Sequence, residues 1–592
     1  MMEVSEQRDV ETGDQISSTN ENPPVPPTRK SRKKGGWRAV KYIIAMETFE
    51  KMATVSLGAN IAVYLRKKYN MDGIMLINVV NIWNASTNIF TLPGAILSDA
   101  YLGRFCTVLI GSLAAMLGML LMTLGAAIPK LRPPSCNDLD TECIQAKAWQ
   151  LAILFAALLL LALGSGGIRP CNIAFGTDQF DTTTEKGRLQ LSRFYNWWYF
   201  SFTVSLVIAL TGLVYIQTNI SWTIGFAIPS GCFVLALIIY VLGCKTYVYV
   251  QPKGSIFIDI FRVVVAAFRK RRVELASSND FVLYDPRIDE SSGKVTRLHR
   301  SDQLKLFDKA AVIVDSSEVN DEGVVVNNWR LCSVQQVEQL KSLIGVLPVA
   351  LTCVLCIVVL EQQNIFAVLQ AMQMDRKVGK SFVIPPGWTG LTSMVTLSVW
   401  ILVYENIVLT IWRMISKKND VRLSMKTRIK IGIIISICAM ATSATTEFKR
   451  REAALKAKTY ESPLSVLFLM PQLALSGLTE AFAAVAMMEF LTTRMPEQMR
   501  CLGSAIYFLC TSMSSYISTA IANVLHTATK RADGTAWLGG RDLNKNRLDC
   551  YYAIIACIAI FNFFYFTFIG SKFVQVDRKS NVEELELSNT NT

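Results

Sequence analysis

Three ionisable side chains share one helical face early in the chain. In Met46-Glu47-Thr48-Phe49-Glu50-Lys51, Glu47 and Lys51 stand at i,i+4 and Glu47 and Glu50 at i,i+3. They lie inside an apolar run of residues 42–65, with Lys51 about ten residues, or about 15 Å, from its start. A charge at membrane depth costs on the order of several kcal/mol, so it needs a partner or an aqueous cavity, and it marks function by default. Two carboxylates beside one ammonium form a proton-sharing set, because burial disfavours the carboxylate charge while the cation favours it. The alternative reading is a buried ion cluster that only joins helices.

Three further charges interrupt long apolar runs. Glu480 is the only charged residue between Pro463 and Met488. Glu361 ends the uncharged stretch 343–360 and is followed by Gln362, Gln363 and Asn364, a polar stripe suited to the inside of a bundle. Arg169 follows the uncharged stretch 150–168 in Gly164-Ser165-Gly166-Gly167-Ile168-Arg169-Pro170, where small residues allow close helix approach and proline frees backbone groups. Each could be scaffold, and Arg169 could snorkel. Brought together, an arginine and a glutamate from different halves offer a cation for an anionic substrate group and a carboxylate for a proton or hydroxyl.

Other chemistries are poorly served. With two histidines, His299 and His526, neither a histidine zinc site nor a Ser-His-Asp triad assembles. The glycines at 164–167 lack the G-x-x-x-x-G-K-[ST] pattern of a phosphate loop. The expectation is no enzyme, no metal and no cofactor, with protons as coupling ion. The 14 cysteines are scattered through apolar runs; Cys136 and Cys143 share a polar loop, where a disulfide and two free thiols are both open.

The elements that must position these residues are membrane helices. Of 592 residues, 51% are hydrophobic and 18% charged, against about 25% charged in an average soluble protein. Apolar runs cover 42–65, 75–98, 105–128, 149–173, 194–216 and 220–243, then 342–372, 387–412, 428–446, 463–488, 501–524 and 551–571. Each can cross about 30 Å of hydrocarbon, so twelve spans put both termini on one side. The excess of 60 Lys+Arg over 46 Asp+Glu gathers in segments that the positive-inside rule places in the cytoplasm, where anionic lipids rather than nucleic acid attract it. The basic stretch 447–458, read as external, runs against that rule. The expected organisation is a disordered basic cytoplasmic tail (1–36), an N-terminal six-helix bundle (37–244), a cytoplasmic linker (245–341), a C-terminal six-helix bundle (342–574) and a cytoplasmic tail (575–592). Residues 256–272, apolar and then basic, suit an interfacial helix; the rest of the linker reads as mostly flexible, with a small folded domain as the alternative.

The segment Gly94-Ala-Ile-Leu-Ser-Asp99-Ala-Tyr-Leu-Gly103-Arg104 resembles the signature loop of the major facilitator superfamily. That resemblance implies a gating role for Asp99 and Arg104, holding helices across the two halves. Gly166-Gly167-Ile168-Arg169-Pro170-Cys171, Phe175-Gly-Thr-Asp-Gln-Phe-Asp181, Pro471-Gln472, Gly477-x-x-Glu480-Ala481-Phe482, Glu489-Phe490 and Pro496-Glu-Gln-Met-Arg500 resemble the plant nitrate/peptide transporter family, a branch of the proton-coupled oligopeptide transporters. The family's proton-coupling E-x-x-E-R motif corresponds to Glu47, Glu50 and Lys51. Lysine for arginine keeps the charge and loses the bidentate fork. Peptide carriers have tyrosines and an arginine just beyond this motif, where Thr54, Val55 and Gly58 stand here. The histidine of the best-known nitrate carrier is matched by Leu360, and Glu361-Gln362-Gln363 is similar to the gate-forming stretch of peptide carriers. Thr107 matches a threonine phosphorylated in a dual-affinity carrier, which would make a kinase a partner; an ordinary helix-cap threonine is the alternative.

The resemblance is strongest to the branch with glucosinolate importers. It implies a twelve-helix all-α membrane protein of the major facilitator fold and a proton-coupled symporter of organic anions or glucosylated metabolites, working by alternating access. Glu47, Glu50 and Lys51 would couple protons, Arg169, Glu361 and Glu480 would line the substrate site, and Asp99 and Arg104 would gate it. A salt bridge of Glu361 would close the external side. Location is expected at the plasma membrane, with the vacuolar membrane as alternative. The rivals are a voltage-driven nitrate or chloride facilitator and a receptor signalling through the central interval.

Overall fold

The computed structural model describes residues 35–575 except 72, 135, 137–142, 181–183, 251–255, 273–282, 286–303, 321–324, 380–381, 409, 412–413, 415–422, 496–499 and 531–535. Residues 1–34 and 576–592 of the expected tails, most of 273–303, the basic residues Arg413, Lys417, Lys418 and Arg422, and the motif residues Asp181 and Pro496–Met499 lie outside the described residues.

Helices follow the apolar runs in order. The first bundle holds α1 (Trp37–Lys68), α2 (Gly73–Ile89) continued by α3 (Thr91–Leu97), α4 (Gly103–Ala127), α5 (Ala148–Thr177), α6 (Glu185–Ile208) and α7 (Trp222–Leu242). After α8 (Ile256–Arg269), the second holds α9 (Val334–Met372), α10 (Thr389–Val403), α11 (Met425–Ala457), α12 (Met470–Thr479) continued into α13 (Val485–Thr493), α14 (Arg500–Ala528) and α15 (Leu548–Tyr565) followed by α16 (Ser571–Gln575). Among the described residues, ten stretches are long and apolar enough to cross a bilayer. One of them, Gly73–Ala127, has 55 residues and makes two crossings, since it would otherwise extend about 80 Å. It reverses through a π-helical turn at Ser98–Leu102 and Gly103, whose φ of 75° a side chain would strain. With α1, whose 32 residues carry Glu47, Glu50 and Lys51 in mid-helix, the crossings number twelve. Among the described residues, two short strand pairs lie beside the second bundle, β1 (Met374–Asp375) with β4 (Ser462–Ser465) and β2 (Lys377–Val378) with β3 (Phe382–Val383).

Among the helix boundaries that differ from the apolar runs, two bear on the site. Helix α9 begins at Val334, before the expected 342, because Ser333 and Gln336 form a reciprocal capping box on a polar first turn. Helix α11 continues past 446 to Ala457 and carries Glu447 and Arg450 inward. In the described part of the central interval, α8 docks on neighbouring residues. Val263, Ala266 and Ala267 of α8 pack with Ala310, Ala311, Val337 and Leu340, and Lys341 pairs with Asp308 at 2.6 Å and Glu338 at 2.8 Å.

Two ends of the molecule are distinguished below: the linker end, with α8 and the described chain termini, and the far end, where Cys136 and Cys143 form a disulfide. The first bundle's core continues into far-end residues of α9 from Val359 to Met372 and into α15 at Tyr551 and Tyr552. Nearer the linker end, Val346–Ile357, Ile429, Ile433, Phe490 and Phe566 form a separate core within the second bundle. The halves therefore share a core at the far end.

Glycines 164, 166 and 167 serve close packing. A Cβ at Gly166 would stand 2.6 Å from the Cβ and carbonyl oxygen of Phe90 on the neighbouring span. Gly166→Ala should therefore cost about 1–3 kcal/mol through overpacking and lower the thermal midpoint of the detergent-solubilised protein. Gly212→Ala, with nothing within 4 Å of the new methyl, should leave that midpoint almost unchanged.

Candidate functional site

Helical period brings the α1 charges together. Lys51 Nζ lies 2.9 Å from Glu50 Oε2 and 3.4 Å from Glu47 Oε1, and Glu47 and Glu50 are buried. The Asn172 amide on α5 donates to Glu47 Oε2. Glu50 is the less satisfied acid: its Oε1 is buried without a hydrogen-bond partner, and the lysine beside its other oxygen also serves Glu47. One turn from Asn172, Arg169 donates to Asn88 Oδ1 on α2 at 2.9 Å and lies within electrostatic reach of both acids. The four charges form one cluster, two carboxylates facing two cations. A buried acid with unused hydrogen-bonding capacity is chemically equipped to accept a proton.

The second bundle contributes two acids. Glu480 is half-buried and begins a π-helical turn, Glu480–Ala484, between α12 and α13, a feature frequent at functional sites because it re-aims side chains. Tyr507 on α14 is within its electrostatic reach. Glu361 is buried on α9, with Oε2 lacking a partner and the Asn364 side chain beside it. The expected salt bridge of Glu361 is absent from this structure: among the described residues it forms no ion pair. Nor does a hydrogen bond or ion pair among them join Arg169 to Glu361 or Glu480. Gln362 and Gln363 turn to structural work, bonding Ser518 at 3.0 Å and Ser443 at 2.6 Å.

Arg104 binds Asp178 at 2.5 Å and, more loosely, Asp99 at 3.8 Å. These two partners belong to the first bundle, and the contacts tie the α3–α4 turn to the end of α5. Burial raises the Asp178 carboxyl above its ordinary range, against the pull of Arg104. A similar pair in the second bundle, Arg428 with Glu489 at 2.7 Å, joins α11 to α13. Thr107 is buried, and its hydroxyl donates to the Gly103 carbonyl at 3.0 Å, a poor presentation for a kinase.

The halves are joined at the far end by residues that no motif or apolar run marks. Arg66, in the last turn of α1, donates to Tyr460 Oη at 2.7 Å and to the Arg541 carbonyl at 2.5 Å. The Arg541 guanidinium reaches back to the Cys136–Cys143 disulfide. Asn78 and Asn523 exchange side-chain hydrogen bonds between α2 and α14. Arg66→Met removes charge-assisted bonds worth on the order of 1.5–3 kcal/mol, enough for a shift of about tenfold or more between conformers. Spin-label distances across the far end should lengthen as a result.

A second buried network crosslinks the C-terminal half. Arg450 pairs bidentately with Glu447, both nitrogen–oxygen distances being 2.8 Å, and both side chains are fully buried. Gln370 donates to Glu447 at 2.8 Å, Gln472 to Gln370 at 3.1 Å, Tyr552 to Gln370 at 3.2 Å, and Arg450 to Asn544 at 2.9 Å. Helices α9, α11, α12 and α15 meet there. The signal was present in the i,i+3 spacing of Glu447 and Arg450 along a continuing helix.

Comparison with known proteins agrees with this architecture. Residues 105–538 match the POT family. Protein NRT1/PTR FAMILY 2.8 of Arabidopsis thaliana is 50% identical, over 93% of this chain and 97% of its own; NRT1/PTR FAMILY 2.13 of the same plant is 40% identical, over 90% and 86%. The crystal structure of the POT family transporter PepTSo has the same fold, with a TM-score of 0.65 at 15% identity, covering 90% of this chain and 98% of that one. A POT family transporter in complex with 5-aminolevulinic acid aligns with a TM-score of 0.60 at 12% identity, covering 91% and 98%. The chain belongs to the POT family, and it is a multi-pass membrane transporter, not an enzyme.

Proposed function

We propose that this transporter is a proton-coupled symporter of organic anions or glucosylated plant metabolites, glucosinolates or related glucosides among them, working by alternating access. The observation that carries the reading is Glu50, a fully buried carboxylate with a hydrogen-bonding vacancy, sharing one lysine with Glu47. Ionised, the cluster of Glu47, Glu50, Lys51 and Arg169 is balanced, two charges of each sign. A proton taken up by Glu50 leaves one net positive charge. An anionic substrate group neutralises it, so proton and anion favour each other's binding. Lys51 then turns to Glu47, Arg169 meets the anion from one bundle, and Glu480 accepts substrate hydroxyls from the other. Glu361 contributes to the external gate, and Asp99 and Arg104 to the internal one.

Orientation follows from two independent features. The disulfide belongs in an oxidising compartment, which puts the far end outside, and the Arg269–Arg272 run puts the linker end in the cytoplasm. The bonds of Arg66, Tyr460 and Arg541 then close the external face, leaving the cytoplasmic side as the one to open. The plasma membrane is the location we assign.

The test is uptake from a plant metabolite extract by expressing cells, read by mass spectrometry at acidic and neutral external pH. At least one anionic or glucosylated compound should accumulate, faster at acidic pH. Equal accumulation at both pH values would defeat proton coupling. Glu480→Gln with unchanged affinity and turnover for that compound would remove Glu480 from the site.

A further inference from the structure

We infer that α8 is a lipid-recognition element, which seats an apolar stripe in the cytoplasmic leaflet and binds anionic phospholipid headgroups through Arg269, Arg271 and Arg272. The helix is divided cleanly. Val263, Ala266, Ala267 and Lys270 are buried, Lys270 donating to the Val312 carbonyl at 2.7 Å and pairing with Glu318 at 2.9 Å. At about 100° per residue, the opposite face carries Phe261, Val264 and Phe268, which are 60%, 40% and 66% exposed. A helix already docked on one side has no structural need for a second apolar face.

The basic residues are placed for a headgroup layer. Arg269 ends α8, and Arg271 and Arg272 follow it in the turn at 270–272, both exposed. The Arg271 guanidinium lies 4.4 Å over the Phe268 ring, so its charge stands at the border of the apolar surface. Among the described residues none of these three arginines pairs with a carboxylate, whereas Arg262 and Lys270 on the same helix are paired with Asp259 and Glu318. The depth also fits. Ile260 packs against both the linker core and the linker-end core of the second bundle, which sets α8 at the rim of the membrane domain. Guanidinium groups bind phosphate oxygens in pairs, and an apolar stripe edged by cations is the arrangement of a helix lying in an anionic interface. A soluble acidic protein could meet the arginines but would leave Phe261 and Phe268 without an acyl layer. The site needs no substrate, so its failure would leave the transport reading untouched.

The test uses the full chain in nanodiscs of phosphatidylcholine alone and of phosphatidylcholine with phosphatidylserine. Hydrogen exchange of the peptide spanning 256–272 is followed by mass spectrometry. Amides of α8 should exchange about a hundredfold more slowly with phosphatidylserine present, and Arg271→Gln and Arg272→Gln should each lower that protection about fivefold, the equivalent of about 1 kcal/mol per basic residue at an anionic surface. Phe261→Ser with Phe268→Ser should raise exchange in both lipids. Exchange that is equal in the two lipids and unmoved by the arginine changes would overturn headgroup recognition. Exchange unmoved by the serine changes would overturn the apolar seat, and protection seen only after adding cytosolic protein would assign the face to a protein partner instead.

Discussion

Glu50→Gln should abolish proton-driven accumulation while leaving exchange of substrate across the membrane intact. Glutamine has the shape of a protonated glutamate and cannot release a proton, so the variant is held in the proton-loaded form of the cluster. Glu50 is the position where this matters most, being fully buried with one oxygen unpartnered and the other shared with the lysine of Glu47. A gradient of two pH units supplies about 2.7 kcal/mol per proton, or about a hundredfold in accumulation. Wild-type cells should approach that ratio and Glu50→Gln cells should stop near equal concentrations, with counterflow of labelled substrate at a rate close to normal. Loss of counterflow as well would mean that the change damaged the fold or the substrate site rather than the coupling.

Arg450→Met should be among the most damaging single changes to the stability of the second bundle. It strands the Glu447 carboxylate, which is fully buried and keeps one amide, that of Gln370, as a donor. Breaking a buried pair from one side costs about 3–5 kcal/mol, and exchanging both partners for apolar groups is far cheaper. The double change Glu447→Leu with Arg450→Met should therefore recover most of the lost thermal stability. A double variant as unstable as the single one would show that the network's geometry, through Asn544 and Gln370, matters more than charge compensation. The outcome bears on mechanism, since rigid-body rocking requires that α9, α11, α12 and α15 move as one.

The readable and unreadable parts of this protein separate on physical grounds. Membrane helices declare themselves through runs of apolar residues, and Glu47, Glu50 and Lys51 declare themselves as exceptions inside such a run, with a spacing that already implies contact. Asn172 and Asn88 do not, because an asparagine in a helix carries no mark of which distant helix it faces. The far-end bonds of Arg66 were hidden for the same reason: Tyr460 and Arg541 lie in polar loops almost four hundred residues or more away in sequence. Glu447 and Arg450 escape a count of apolar residues, which stops at the first charges, whereas the helix does not. Within the central interval, the contacts of Val263, Ala266 and Ala267 with Ala310, Ala311, Val337 and Leu340 are equally unmarked, because nothing in the sequence says which distant residues an apolar face meets.

Proteoliposomes containing a pH dye, with equal pH on both sides, put the central claim to its most direct test. The compound identified by the uptake screen is added outside while the lumen is monitored. Symport predicts that the lumen acidifies as the compound enters, that collapse of the gradient by a protonophore removes the signal, and that Glu50→Gln liposomes show none. Entry of the compound at full rate with no change in lumenal pH would contradict the account.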